Sequence, residues 1–195
     1  MRRMMRAITL TTAMLMIAAA GHAQLFMAGL DGASEAPPNA SPGTGEVWVT
    51  LDSIAHTMRV QVTFADLLGM TTASHIHAAT AVPGVGTAGV ATPTPTFPGF
   101  PLGVTAGSYD VTLDMTLPAS YNASYLTAHG GTPATAEADL FAAITDGRAY
   151  LNVHTALFPG GEIRGFLQPV PEPGAVGLIG GLALAGWLLA ARRRR

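Results

Sequence analysis

The sequence predicts an all-β domain, an antiparallel β-sandwich or an open Greek-key barrel with one or two short helices. Three observations predict this class. Apolar and polar residues alternate with a period of two in several stretches, Gly and Pro interrupt the chain between them, and a single stretch near residue 140 is rich in helix formers. Apolar segments at both ends of the 195-residue chain predict an N-terminal signal peptide and a C-terminal transmembrane helix outside this domain.

The N-terminal segment, residues 1–23, has the pattern of a secretory signal peptide. It begins with three basic residues, Arg2, Arg3 and Arg6. An uncharged and mostly apolar run follows at 7–20, and Gly21 and Ala23 place small residues where signal peptidase requires them. We therefore predict export by Sec-type machinery and cleavage between Ala23 and Gln24.

Residues 24–169 make up the predicted β domain. The clearest alternation lies in 46–51, 58–64 and 109–115, where every second residue is apolar, as in a half-buried antiparallel strand. Four further segments are predicted strands: 25–30, 73–77, 149–154 and 163–167.

One helix is predicted over residues 133–144. Thr132 suits the N-cap, Pro133 suits the first helical position, and Asp146-Gly147 ends the segment. The Gly/Pro-rich stretch at 83–103 is predicted to be an irregular loop.

Charge and cysteine content exclude several classes of function. Residues 24–169 contain eleven acidic residues and three arginines, a net charge of −8. A domain of this charge repels polyanions, so nucleic acid is not an expected partner. The chain has no cysteine, so disulfides, thiolate ligands and cysteine nucleophiles are excluded. None of the common hydrolase or phosphate-binding motifs occurs, no catalytic residue is predicted, and a non-enzymatic role is favoured.

The C-terminal segment, residues 170–195, combines three features in a fixed order. Pro171, Glu172 and Pro173 come first, and 18 uncharged residues follow at 174–191. A helix of that length measures about 27 Å, enough to cross a hydrocarbon core. The segment ends on four arginines, Arg192, Arg193, Arg194 and Arg195, which are expected to stay in the cytoplasm, so the domain faces outward.

This C-terminal layout resembles the PEP-CTERM sorting signal. The resemblance implies a Gram-negative host and an exosortase-type protease that cleaves near Pro-Glu-Pro. It also implies an inner-membrane intermediate that faces the periplasm, followed by delivery to the cell surface or the extracellular matrix.

Three motifs within the domain resemble the CHRD domain. They are LDGASEAPP at 30–38, ASHIH at 73–77, and YLNVHT at 150–155 followed by FPGGEIRG at 158–165. The resemblance implies a β fold and an extracellular setting, and it brings no established catalytic residues.

The sequence His75-x-His77 is the sharpest chemical signal. In a strand the two side chains share a face, about 6.6 Å apart along the chain, and two such imidazoles can bind one copper or zinc ion. His154 is the candidate third ligand. A hairpin that pairs Asn152 with Arg164 would also pair His154 with Glu162, whose carboxylate could then orient the His154 ring.

These residues allow a second interpretation, in which Asn152, Glu162, Arg164 and the histidines form a structural polar cluster without metal. Two functions therefore stay open. The first is an exported interaction module with a ligand at the cell surface or in the matrix. The second is a small metalloprotein that holds copper or zinc, with a redox role as one option.

Overall fold

The computed structural model describes residues 23–171. Residues 1–22 of the predicted signal peptide (1–23) lie outside this range. Residues 172–195 of the predicted sorting tail (170–195), with its transmembrane helix and Arg192–Arg195, also lie outside it. Within the described range, no helix is both long enough and apolar enough to cross a membrane.

Strands dominate the described chain. The eight strands are β1 (Gln24–Asp31), β2 (Thr44–Asp52), β3 (Thr57–Ala65), β4 (Thr71–His77), β5 (Gly107–Asp114), β6 (Tyr150–Thr155), β7 (Ile163–Phe166) and β8 (Gln168–Pro169). The helices are α1 (Ala123–Ala128), α2 (Pro133–Thr145) and a 3-10 turn at Pro118–Ser120. Each of the seven predicted strands and the predicted helix overlaps one of these elements.

All strands belong to one antiparallel sheet that curls into a half-barrel. The order across it is β4-β6-β7-β1-β2-β3-β5, and β8 pairs with β1 beside β7. The antiparallel, mostly β class with few short helices is confirmed. The sequence left open a sandwich or an open Greek-key barrel. The single continuous sheet, with edges at β4 and β5, is not a sandwich of two sheets, and its curled, open form is a half-barrel.

The hydrophobic core lies on the inner face of the sheet. Alternate residues of β2 and β3 point into it, and Val47, Val49, Met58 and Val60 have no solvent exposure. Helix α2 closes this core through fully buried Leu140 and Ile144. Its first turn is capped by Thr132, whose side chain accepts a hydrogen bond from the Thr135 amide at 3.3 Å.

Strands β4 and β6 each divide their residues between two faces. Leu151 lies opposite Ile76 of β4, Val153 lies opposite Ile163 of β7, and all four residues belong to the core. The alternate residues, including His75 and His77, point to the other face of the sheet. Three loops cover that second face, at residues 32–39, 78–97 and 156–161, and their main-chain carbonyls contact it.

Candidate metal centre

Three histidines meet on the second face of the sheet. The ring centroids of His75 and His77 are 5.8 Å apart, those of His75 and His154 are 5.1 Å apart, and those of His77 and His154 are 5.9 Å apart. One ring nitrogen from each residue lies within 4.8 Å of the others. The predicted convergence of these three side chains is confirmed. It arises because β4 and β6 are neighbours, which pairs His75 with Asn152, two residues before His154.

Each histidine uses one ring nitrogen on a main-chain carbonyl. His75 Nε2 donates to the Pro95 carbonyl at 2.6 Å, and His77 Nδ1 donates to that of Ala88 at 2.9 Å. His154 Nδ1 donates to the Pro159 carbonyl at 3.0 Å. A carbonyl oxygen only accepts, so these contacts place the ring proton on the bonded nitrogen and leave a lone pair on the other.

The second nitrogen of each ring is buried and has no hydrogen-bond partner among the described residues. These atoms, which we call the inner nitrogens, are His75 Nδ1, His77 Nε2 and His154 Nε2. Polar atoms buried in this way normally find a partner, and three of them in one place is unusual. The arrangement matches the one in which a metal-bound histidine donates its other N–H to an outer group that fixes ring orientation.

Burial keeps the three rings neutral. It lowers the pKa of His77 to about 4, and the Ala88 hydrogen bond opposes this shift only in part. Burial also lowers the pKa of His75, where the Pro95 hydrogen bond again opposes it, and the pKa of His154. Neutral imidazoles have the free lone pair that a metal ion needs.

A cluster of buried polar side chains borders the histidines. The Tyr150 ring stacks on His77 with centroids 4.8 Å apart, and the Arg164 guanidinium lies 4.8 Å from the centre of the Tyr150 ring. Arg164 also donates to the carbonyls of Ser34 and Gly86 and lies 3.9 Å from the Glu35 carboxylate. Asn152 Nδ2 donates to Glu35 at 3.1 Å.

The prediction that Glu162 contacts His154 is wrong. The pairing of Asn152 with Arg164 is as predicted, but the regular ladder stops at Val153 and Ile163. The Glu162 amide donates to the carbonyl of Val153, and Gly161 beside it adopts φ 131°, so the hairpin is irregular where His154 was expected to face Glu162. The Glu162 carboxylate instead binds Thr155, Ser41 and the loop after β3.

Two residues beside the site, Tyr150 and Glu35, were not predicted from the sequence. Tyr150 has the same parity as Asn152 and His154 in β6, so the alternation itself could have placed it on their face. Glu35 comes from a loop more than 100 residues earlier in the chain, and no local pattern indicates that contact.

Glu35 gives the domain a pH dependence that can be measured. Burial raises the pKa of its carboxyl to about 7, although Arg164 lowers it in part. Because this pKa is higher in the folded state than in the unfolded state, the protonated carboxyl stabilises the protein. The stabilisation is complete below about pH 4.5 and is lost as the pH rises through 7. Relative to Glu35→Gln, which stays neutral, the wild type should lose on the order of 2 kcal/mol between pH 5 and pH 9.

Chemical denaturation of both proteins at pH 5, 7 and 9, with chelator present, measures this difference. Glu46→Gln provides the control, because Glu46 is exposed on β2. A constant difference between the wild type and Glu35→Gln at all three pH values would contradict the raised pKa.

Comparison with known families agrees with the motifs found in the sequence. The model of the family described as the CHRD domain matches residues 26–167, which include β4 and β6 and all three histidines. No curated protein matches the chain, and neither does any solved structure. Because the match covers well over half of its length, this chain belongs to the CHRD domain family.

Proposed function

We propose that the domain binds one transition metal ion, copper or zinc, through His75, His77 and His154. The observation that carries the proposal is the set of three buried ring nitrogens that point toward one another without a donor. Imidazole is a good ligand for both metals, and a loop carbonyl already holds each ring in the tautomer that leaves its inner nitrogen free.

The alternative is a purely structural polar cluster, and the hydrogen bonding disfavours it. Three neutral acceptors that face one another cannot satisfy each other, and each buried acceptor without a partner costs about 1–3 kcal/mol. Asn152, Arg164 and Glu35 do form a structural network, but their described hydrogen bonds join them to one another and to the loops, and none reaches the inner nitrogens.

The spacing requires only a small adjustment to hold an ion. Metal–nitrogen bonds of about 2.0–2.1 Å place three ligand nitrogens roughly 3.5 Å apart in a trigonal arrangement. One ring nitrogen from each histidine lies within 4.8 Å of the others, so the rings must close by about 1 Å, which side-chain torsions can supply.

Metal titration of the purified protein tests the proposal. After treatment with chelator, the wild type should bind one ion per chain, and replacing any of the three histidines with Ala should weaken binding more than 100-fold. His129→Ala is the matched control, because His129 is tied to Asp139 on the helical side of the domain. Absence of binding by the wild type, or equal affinities for His154→Ala and His129→Ala, would overturn the proposal.

We also propose that the protein acts outside the cytoplasm. The support is the order of signal peptide, domain and sorting segment in the sequence, with Sec-type export, an inner-membrane intermediate and an exosortase-type protease as the expected route. Delivery to the cell surface or matrix would make a ligand there the partner of the domain, in the role of an interaction module.

Mass spectrometry of the exported protein checks this route. We expect the chain to begin at Gln24 and to lack the segment that contains Trp187. Recovery of surface protein that retains Trp187 would contradict removal of the tail, and an intact Arg2 would contradict cleavage of the signal peptide.

A further inference from the structure

We propose that the three-histidine centre takes copper(I) as a three-coordinate ion and binds it in preference to zinc(II). This inference rests on the metal site proposed above and assigns its ligand. Its basis is the number of available donors, their complete burial, and the charge of their surroundings.

Within residues 23–171, three imidazoles and no carboxylate are placed to share one ion. Among residues 23–171, the grouped metal-binding side chains are His75, His77 and His154 alone. The nearby carboxylate of Glu35 accepts from Asn152 and faces Arg164, and the Glu162 carboxylate is occupied by four donors elsewhere. Zinc sites are almost always four-coordinate, with water in the fourth position where the protein supplies three ligands. Copper(I), which is d¹⁰ like zinc(II) but carries a single charge, is stable with three ligands.

The burial of the donors opposes a water ligand. All three inner nitrogens are inaccessible to solvent, and the carbonyls of Pro95, Ala88 and Pro159 bring two loops, 78–97 and 156–161, over the rings. Zinc(II) and copper(II) would both require a fourth ligand in this covered space. Copper(I) completes its coordination with the nitrogens already present.

Electrostatics also favour copper(I), because it carries a single charge. The free energy of removing an ion from water rises with the square of its charge, so a divalent ion is far more costly to bury. The three ligands are neutral, and Glu35 is offset by the Arg164 guanidinium close to it. The surroundings therefore supply little negative charge to compensate a divalent ion.

One further acceptor could complete a four-coordinate site. Asn152 Oδ1 is buried without a hydrogen-bond partner, and Asn152 lies opposite His75. Its amide is directed to the Glu35 carboxylate through Nδ2. An amide oxygen is a hard ligand and suits copper(I) poorly. Removal of this oxygen should therefore have little effect on copper(I) binding.

Competition titrations of the purified protein test the inference. Copper(I) is titrated without oxygen against bicinchoninate, and zinc(II) is titrated against a chromophoric zinc chelator. We expect copper(I) to bind at least 100-fold more tightly than zinc(II), and X-ray absorption of the copper(I) form to show three nitrogen neighbours. Asn152→Ala should keep the copper(I) affinity within about threefold, with folding checked by circular dichroism.

The outcomes separate this inference from the proposed function. Zinc(II) affinity equal to or above that of copper(I), or a fourth ligand in the absorption spectrum, overturns the preference for copper(I) while the metal site stands. A loss of more than tenfold in copper(I) affinity in folded Asn152→Ala overturns the three-coordinate assignment. Failure of both metals to bind the wild type removes the site and the inference together.

Discussion

Replacing Glu162 with Ala should destabilise the domain by about 4 kcal/mol, because several buried donors lose their acceptor at once. The side chain is fully buried, and both carboxylate oxygens are shared. One oxygen accepts from the Ser41 hydroxyl at 2.6 Å and from the Leu68 amide, and the other accepts from the Gly69 amide at 3.0 Å and the Thr155 hydroxyl at 2.7 Å. The carboxylate therefore joins β6 to two loops that are distant in sequence.

The two main-chain amides make this substitution severe. A hydroxyl can rotate toward another acceptor, but the N–H groups of Leu68 and Gly69 have fixed directions. Burial alone would raise the pKa of Glu162, yet the four hydrogen bonds outweigh it and the pKa is lowered. The carboxylate therefore stays ionised, and the stabilisation that it provides should persist throughout the neutral pH range.

Urea denaturation with chelator present measures the effect. Glu162→Gln should cost about half as much as Glu162→Ala, because its oxygen still accepts while its amide nitrogen faces other donors. Glu46→Ala, on the exposed face of β2, should change the free energy of unfolding by less than about 0.5 kcal/mol. If Glu162→Ala changed the free energy of unfolding by less than about 1 kcal/mol, the carboxylate would not hold β6 and the two loops together.

Replacing Gly165 with Ala should cost about 3 kcal/mol or more, because the added methyl group would meet the main chain of β1. A Cβ at this position would overlap the Gly29 carbonyl oxygen and lie 3.0 Å from the Ala28 Cβ. Neither atom belongs to a flexible side chain, so β1 or β7 must shift as a whole. Such a shift would disturb the Asp31–Arg164 pairing, which joins the histidine-bearing strands to the rest of the sheet.

Gly29→Ala is the matched control for this prediction. A Cβ at Gly29 would meet no atom within 4 Å, so the same chemical change on the facing strand should cost less than about 1 kcal/mol. Thermal denaturation of the two variants and the wild type compares them directly. Equal stability of Gly165→Ala and Gly29→Ala would contradict the close approach of β1 and β7.

Local pattern predicted the elements well, because a period of two reports directly which side of a strand is buried. The alternation in β2 and β3 and the cap at Thr132 are examples. The pairing of Asn152 with Arg164 was also predictable, since a short hairpin fixes its own register. The union of all strands into one sheet was not predictable in this way, because it depends on pairings such as β1 with β7 that join distant parts of the chain.

The site was also predicted only in part, because parity within a strand is visible in the sequence and the paths of loops are not. His75 and His77 share a face by parity, and the third histidine followed from the chemistry that a metal requires. The position of Glu162 was missed because the irregular backbone at Gly161 breaks the parity on which the argument rested. The carbonyls of Pro95, Ala88 and Pro159 belong to loops, whose paths no periodicity describes.

The separation of the histidines from the hydrophobic core has an evolutionary consequence. Among residues 23–171, the apolar layer contains no histidine, and the rings of the three-histidine cluster occupy the opposite side of β4 and β6. Substitutions at the three rings therefore leave the main source of folding free energy intact. Descendants of this domain could lose or change the three histidines and still inherit the same architecture, so shared ancestry alone would not establish shared chemistry.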